Sequence, residues 1–288
     1  MIKIGIELTT SCELDCHHCT RNNSQHQRIN ITTELINQIA RFIRSEPRKI
    51  NLSGGFGDPF LYPGLKQAVA LFSSEGHEVS LYTSPHHLVE GSILEELCNN
   101  GLAKVSISLD RWHLESLNGI GWCCNPSSLQ YALRQLAGKY PALRLEAYLV
   151  LNDRTFEEDF RLLRPYLQGF KYSRITIQWA FPFANHSGIR LAEERVLAMA
   201  EIEGLRPLLT QRPSRTGQCF QLKNHIFINS DGYFRICCVQ RNWTLPSRVS
   251  DYECLEDFMT SVEYIAGRES VEMNENELCR SCPLFGDY

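Results

Sequence analysis

Three cysteines fall within eight positions near the start of the chain, Cys12, Cys16 and Cys19 in "TSCELDCHHC". Their spacing is C-x3-C-x2-C. Thiolates ligate iron–sulfur clusters and zinc. A closed structural site takes four protein ligands, so three thiolates on a four-iron cluster leave one iron open to chemistry. A structural zinc site borrowing His17 or His18 is the rival reading, and the spacing matches neither a zinc finger nor a ribbon. A second group lies far along the chain: Cys219, Cys237, Cys238, Cys254, Cys279 and Cys282, the last two in "CRSC". A hairpin pair plus a C-x2-C knuckle suits a four-thiolate iron–sulfur cluster or a four-cysteine zinc ribbon.

The chain has 288 residues with 12 cysteines, a net charge of −4 and a pI of about 6.2. That balance gives no reason to expect nucleic acid or an anionic membrane as a partner. The opening "MIKIGIELTT" has no charged n-region followed by an apolar h-region. No segment approaches the ~18 apolar residues of a membrane span. Cysteines without a secretory signal point to metal or redox use in a reducing cytoplasm, not to a disulfide framework.

Something must hold these thiols. Short β-rich runs alternate with helical patterns: 2–8, 49–53, 78–83, 104–109, 144–151 and 174–180 read as strands, and 32–45, 62–76, 90–101, 126–140, 155–169 and about 191–203 as helices. Thr32 and Thr155 are placed to cap, and Gly76, Gly101 and Gly169 to stop helices. Six βα units predict a parallel α/β sheet over residues 1–204, curved into an open partial (β/α)6 barrel or, failing that, doubly wound. The first cysteine set then sits at the C-terminal end of strand one, the face where sites in this architecture lie. Beyond residue 204 the style changes. "NHIFINSDGYFRICC" reads as a hairpin turning at Asp231-Gly232, and a small C-terminal α+β unit is expected over 205–288.

The cysteine spacing, its place after strand one and the run of βα units resemble the radical S-adenosylmethionine (SAM) enzymes, over about residues 2–200. The resemblance implies that the open iron is chelated by the amino and carboxylate groups of SAM, and that one-electron reduction yields a 5′-deoxyadenosyl radical that abstracts a hydrogen atom. His18 matches the aromatic position near the adenine. "LSGGFGDPFLYP" occupies the Gly-Gly-Glu-Pro-like slot, with Asp58 where the family has glutamate, and implies SAM contacts from Gly55, Gly57 and Asp58. "LYTSP" takes the Thr-Asn-Gly slot and departs from it after the threonine. "SISLD" implies that Ser108 and Asp110 face the SAM ribose and carboxylate, and "YLVLND" brings in Asn152. Cys219 and Cys237, spaced about a glycine, with Cys279 and Cys282, resemble the shorter twitch form of the SPASM domains. This implies a second 4Fe–4S cluster and a flavodoxin- or ferredoxin-type electron donor.

Among twitch enzymes of similar layout are aminoglycoside epimerases and aminocyclitol dehydrogenases. Both begin by taking hydrogen from a carbinol carbon. "RICC" favours the epimerase: if strand alternation turns Cys237 into the cluster, Cys238 points away and becomes the hydrogen donor. A dehydrogenase working through the auxiliary cluster is the alternative. A peptide-modifying enzyme ranks lower, since the chain opens directly on strand one with no leader-binding domain before it. Trp112, His113 and Trp122, read on a loop after strand four, are candidates to line a small-molecule pocket. Cys98 lies on an apolar helical face and reads as core.

Overall fold

Each β-rich run supplies one strand of a single sheet. The computed structural model describes residues 2–17, 19, 28–53, 57–89, 92–122, 125–151, 154–170, 174–179, 186–205, 207–209, 225–237 and 244–272. Lys3–Ile6 (β1), Lys49–Asn51 (β2), Glu78–Thr83 (β3), Leu102–Ser108 (β4), Arg144–Leu151 (β5) and Arg174–Trp179 (β6) are consecutive parallel neighbours. Pro207–Leu209 (β7) adds to β6 in parallel. On the other side His225–Ile228 (β8) pairs in parallel with β1, followed by Tyr233–Arg235 (β9) and Thr244–Arg248 (β10), both antiparallel. The order is β10-β9-β8-β1-β2-β3-β4-β5-β6-β7, an open sheet. It is the expected α/β partial barrel, widened at both edges. The strands β7 and β10 lie outside the predicted set. The expected boundary near residue 204 falls just before β7, and the described strands beyond it continue the same sheet and share its core.

Helices connect the strands: Thr33–Phe42 (α1), Leu65–Ser74 (α2), His86–Val89 (α3), Ser92–Asn99 (α4), Arg111–Gly119 (α5), Pro126–Lys139 (α6), Phe156–Leu167 (α7) and His186–Ile202 (α8). Thr32 caps α1, its hydroxyl accepting from the Leu35 N–H at 3.2 Å. The stretch after β4, expected as a loop, is instead the helix α5. Ile4, Ile50, Val79, Leu81, Val105, Ile107, Ala147 and Leu149 are fully buried, which is how parallel strands covered by helices bury their apolar runs.

Two features at the N-terminal ends of the strands and beside β1 stabilise this frame. Glu146, buried on β5, accepts from Ser106 Oγ at 2.9 Å and from Thr176 Oγ1, and pairs with Lys104 and with Arg174 Nε at 3.2 Å. Burial alone would raise its pKa; the Lys104 contact and the two hydroxyls reverse this and hold it below the usual value. Beside β1, the hairpin turns where expected, at Gly232 with φ +85°. Glu7 accepts from the Ser230 N–H at 3.2 Å and lies 3.9 Å from the guanidinium of fully buried Arg235. Phe234 stacks on Phe258 at 3.6 Å, inside the short helix Leu255–Met259 (α9), and meets Phe42 of α1 at 5.6 Å. A last helix, Val262–Glu272 (α10), packs against β10. Among the described residues no helix is long and apolar enough to cross a membrane.

Candidate active site

The cysteine loop leaves β1 at the C-terminal end of the strands. Cys16 is buried, Cys12 and Cys19 are half-buried, and none forms a disulfide. Leu14, Cys16 and Leu117 make a small apolar cluster, separate from the main core, against which Cys12, Cys19, Trp112 and Trp122 pack. The sequence thus packs its three thiols about one small apolar cluster, to which α5 contributes Leu117 and Trp112. The loop is held from several sides. The Cys19 N–H donates to the Cys16 carbonyl at 2.9 Å, the Asp15 N–H to Ser116 Oγ of α5 at 2.7 Å, and the Thr9 hydroxyl to Asn30 Oδ1 at 2.6 Å. Three soft thiolates in an apolar wall suit iron–sulfur ligation.

The segment after β2 docks on this loop. The Asp58 N–H donates to the Ser11 carbonyl at 2.8 Å. A Cβ on Gly57 would stand 2.7 Å from the Ser11 carbonyl oxygen and nearer still to that of Thr9. Only glycine lets the two backbones approach this closely. Gly57 therefore matters here because it seats the cysteine loop. The Asp58 carboxylate, expected to meet SAM, is buried and engaged inward: it accepts from the Phe60 N–H at 3.0 Å, from Thr83 Oγ1 at 3.1 Å and from the Ser84 N–H at 3.3 Å. Being one methylene shorter than glutamate, it turns back to cap the 3-10 turn Pro59–Leu61.

Asp110 is likewise committed. Fully buried at the end of β4, it caps α5 by accepting from the His113 N–H at 3.0 Å and holds His113 Nδ1 at 2.7 Å. The ring of His113 in turn hydrogen-bonds Cys16. Burial would lower the pKa of this imidazole, but the charge and hydrogen bond of Asp110, with Cys16 behind them, raise it well above the usual value. The expectation that Asp110 faces the SAM ribose and carboxylate therefore meets a side chain engaged by its own helix. His113, read as pocket lining, reaches the thiol of Cys16, and Trp112 and Trp122 pack against the same small cluster. The Asp-x-x-His spacing was the available signal, since residue three of a helix lies over its cap. Ser108 is half-buried at the end of β4.

Several predicted site residues, His18, Gly55, Asn152, Cys219, Cys238, Cys279 and Cys282, lie outside the described residues. Cys237 is described and half-buried. However, β9 ends at Arg235, so strand alternation does not extend through Cys237 to Cys238. The register is informative. Ile228 lies beside Ile6, Phe227 beside Gly5, and Arg235 opposite Phe227. The hairpin turn is thus at the cysteine-loop end of β1, and β9 runs back toward the opposite end, where Cys237 leaves the sheet.

Residues 6–166, more than half of the chain, match the model of the Radical SAM superfamily. The chain is 31% identical over 118 residues to the Probable GTP 3′,8-cyclase of Archaeoglobus fulgidus, a match spanning 41% of this chain and 38% of that relative. The chain thus aligns with well under half of that protein. Among solved structures, BtrN in complex with AdoMet and 2-DOIA is similar over 99% of this chain and 91% of its own, at 12% identity and a TM-score of 0.57. Native anSMEcpe with bound AdoMet is similar over 99% and 88%, at 13% identity and a TM-score of 0.71. Streptococcus suis SuiB bound to S-adenosylmethionine is similar over 99% and 71%, at 14% identity and a TM-score of 0.67. With the three thiols gathered at the end of β1 and the matched region running from β1 into α7, the chain belongs to the radical SAM superfamily.

Proposed function

We propose that the chain takes a hydrogen atom from a carbinol carbon of a small aminocyclitol- or amino-sugar-like molecule and completes the turnover as a dehydrogenase. When bound, a four-iron cluster and SAM would supply the hydrogen-atom abstraction, a second cluster on Cys219, Cys237, Cys279 and Cys282 would supply an acceptor for the remaining substrate electron, and the hydroxyl proton passes to a base. The chain's own residues do the rest. Cys12, Cys16 and Cys19 hold the first cluster, Gly57 seats their loop, and Trp112 and Trp122 pack beside the thiols.

The observation that carries the choice of outcome is the direction of β9. Hydrogen return by a thiol needs contact with the substrate carbon, whereas electron transfer tolerates separation. A strand that carries Cys237 away from the cysteine-loop end suits the second role better than the first. The whole-chain likeness to BtrN, whose complex holds the small molecule 2-DOIA, supports a small-molecule substrate. SuiB has been solved bound to its precursor peptide SuiA, which keeps peptide substrates as the competing class. Epimerisation with Cys238 as hydrogen donor is the second reading, resting on the adjacent thiols of "RICC". Incubating the reconstituted enzyme with SAM, reductant and a panel of aminocyclitols and aminoglycosides separates these by mass spectrometry. A product two mass units lighter is expected. A product of unchanged mass and new retention time, lost in Cys238→Ala, would instead establish the epimerase.

A further inference from the structure

Glu13, between the first two cysteines of the loop, meets two histidines from the far end of β3. Its carboxylate contacts His86 Nε2, and His87 Nε2 lies 3.6 Å from the same Glu13 oxygen and 3.5 Å from Asp58 Oδ2. The ligating atoms of Glu13, His86 and His87 all lie within 4.8 Å of one another. We propose that Glu13, His86 and His87 bind a divalent transition-metal ion of the zinc type, distinct from any iron–sulfur cluster, that clips the cysteine loop to the end of β3.

Three observations support this. First, His87 Nε2 is buried and makes no hydrogen bond, although two carboxylate oxygens face it. Both distances are long for hydrogen bonds. Within the proposed set, the 3.6 Å between His87 and Glu13 matches the roughly 3.3–3.6 Å between ligands that stand about 2.0–2.2 Å from a tetrahedral zinc ion, while His86 Nε2 and the Glu13 oxygen are in direct contact and would part to admit the ion. Second, the donors are preorganised. The His86 side chain is 6% exposed and that of His87 12%. Phe60 stacks on His87 at 4.6 Å, and Trp122 meets His86 edge-on at 5.7 Å. Third, the donor types fit, with Glu13 at the exposed rim and the two imidazoles beneath it. Two imidazoles and one carboxylate are a common zinc ligand set, with one tetrahedral position remaining for water or another ligand. The donors are nitrogen and oxygen, whereas the cysteine sets offer sulfur, so the surroundings of a bound zinc ion tell the two kinds of site apart.

The test uses the full-length protein with its clusters reconstituted, washed with a mild chelator and dialysed against zinc chloride. Zinc and iron per chain are counted by mass spectrometry, and the zinc surroundings are read by X-ray absorption. About one zinc per chain is expected, with a nitrogen and oxygen shell and no sulfur. His86→Ala, His87→Ala and the milder Glu13→Gln are expected to weaken zinc binding tenfold or more while iron stays at the wild-type count. Absence of zinc in the wild type overturns the proposal, as does a sulfur shell or undiminished zinc in all three variants. If SAM displaces the zinc mole for mole, the pocket belongs to the ammonium group of SAM and the metal assignment falls. Loss of iron in the wild type would strike the cluster reading alone, since the zinc count is taken separately.

Discussion

Gly57→Ala tests how the cysteine loop is held. The added methyl would stand 2.7 Å from the Ser11 carbonyl oxygen, against about 3.3–3.6 Å for an ordinary carbon–oxygen contact. One backbone must therefore retreat by roughly 0.6–0.9 Å from Ser11 alone, and further from Thr9. A shift of that size stretches the 2.8 Å bond from the Asp58 N–H to the Ser11 carbonyl to the limit of a hydrogen bond. Overpacking costs about 1–3 kcal/mol and the lost bond about 0.5–1.5 kcal/mol, together about 1.5–4.5 kcal/mol. Because the clash lies between two loops at the end of the sheet, the cost falls on loop seating and not on the core. At ~1.4 kcal/mol per factor of ten, SAM affinity should fall by about ten- to a thousandfold. The assay is equilibrium dialysis of labelled SAM on anaerobically reconstituted protein, with far-ultraviolet circular dichroism as the check on folding. Wild-type affinity in a properly folded Gly57→Ala protein would refute the argument that this contact seats the site.

Asp110→Asn and His113→Gln should be strongly non-additive: removing one partner of a buried pair costs about 3–5 kcal/mol, and the double-mutant cycle in urea should show a coupling of roughly 0.5–3 kcal/mol. Additive effects would mean that the contact is incidental. Glu146, held below its usual pKa, contributes stability that is present above its unfolded value of about 4.5 and lost as pH falls through the lower folded value. The difference in urea midpoint between wild type and Glu146→Gln should therefore be large at pH 7 and shrink below about pH 4.5; a constant difference would show that the ionised form is not the stabilising one. Burial, then the nearby Glu95, push the Cys98 thiol up to about 11. It should resist iodoacetamide at pH 8 in the native protein and react after unfolding, as read by peptide mapping.

Most of the frame was legible because its signals are local. Alternation and 3.6-residue spacing located β1 to β6 and their long helices, and Asp231-Gly232 located the hairpin. The helix α5 was missed because "RWHLESLNG" has a weak apolar stripe and a glycine at its end; Leu114 and Leu117 alone face inward. Pro207–Leu209 is too short to announce a strand and exists because β6 offers an edge. At the site, the thiols were legible from spacing. The roles of Asp58 and Asp110 were harder to read, because an acidic residue after a strand serves equally as a ligand or as a helix cap, and both here act as caps. Glu13, His86 and His87 carried no signal at all: they are 73 residues apart in sequence at His86 and meet only because β1 and β3 end on the same face.

The partnership of β1 with β8 also sets a timetable. Lys3 aligns with His225, a separation of 222 residues, so one side of β1 stays unpaired until that whole interval has been made. At ~5–20 residues per second, synthesis of that interval takes about 10–45 s. For that time the strand carrying the cysteine loop has an open edge and lacks the Ser230 contact to Glu7. The thiols are made long before their setting is complete. Iron delivered early would meet a loop hinged on an incomplete sheet, and a chain stalled before residue 225 would offer its N-terminal strand to any neighbouring edge. Loading of the cysteine loop is therefore expected to follow the pairing of β8 with β1, and truncation before β8 to disturb that loop.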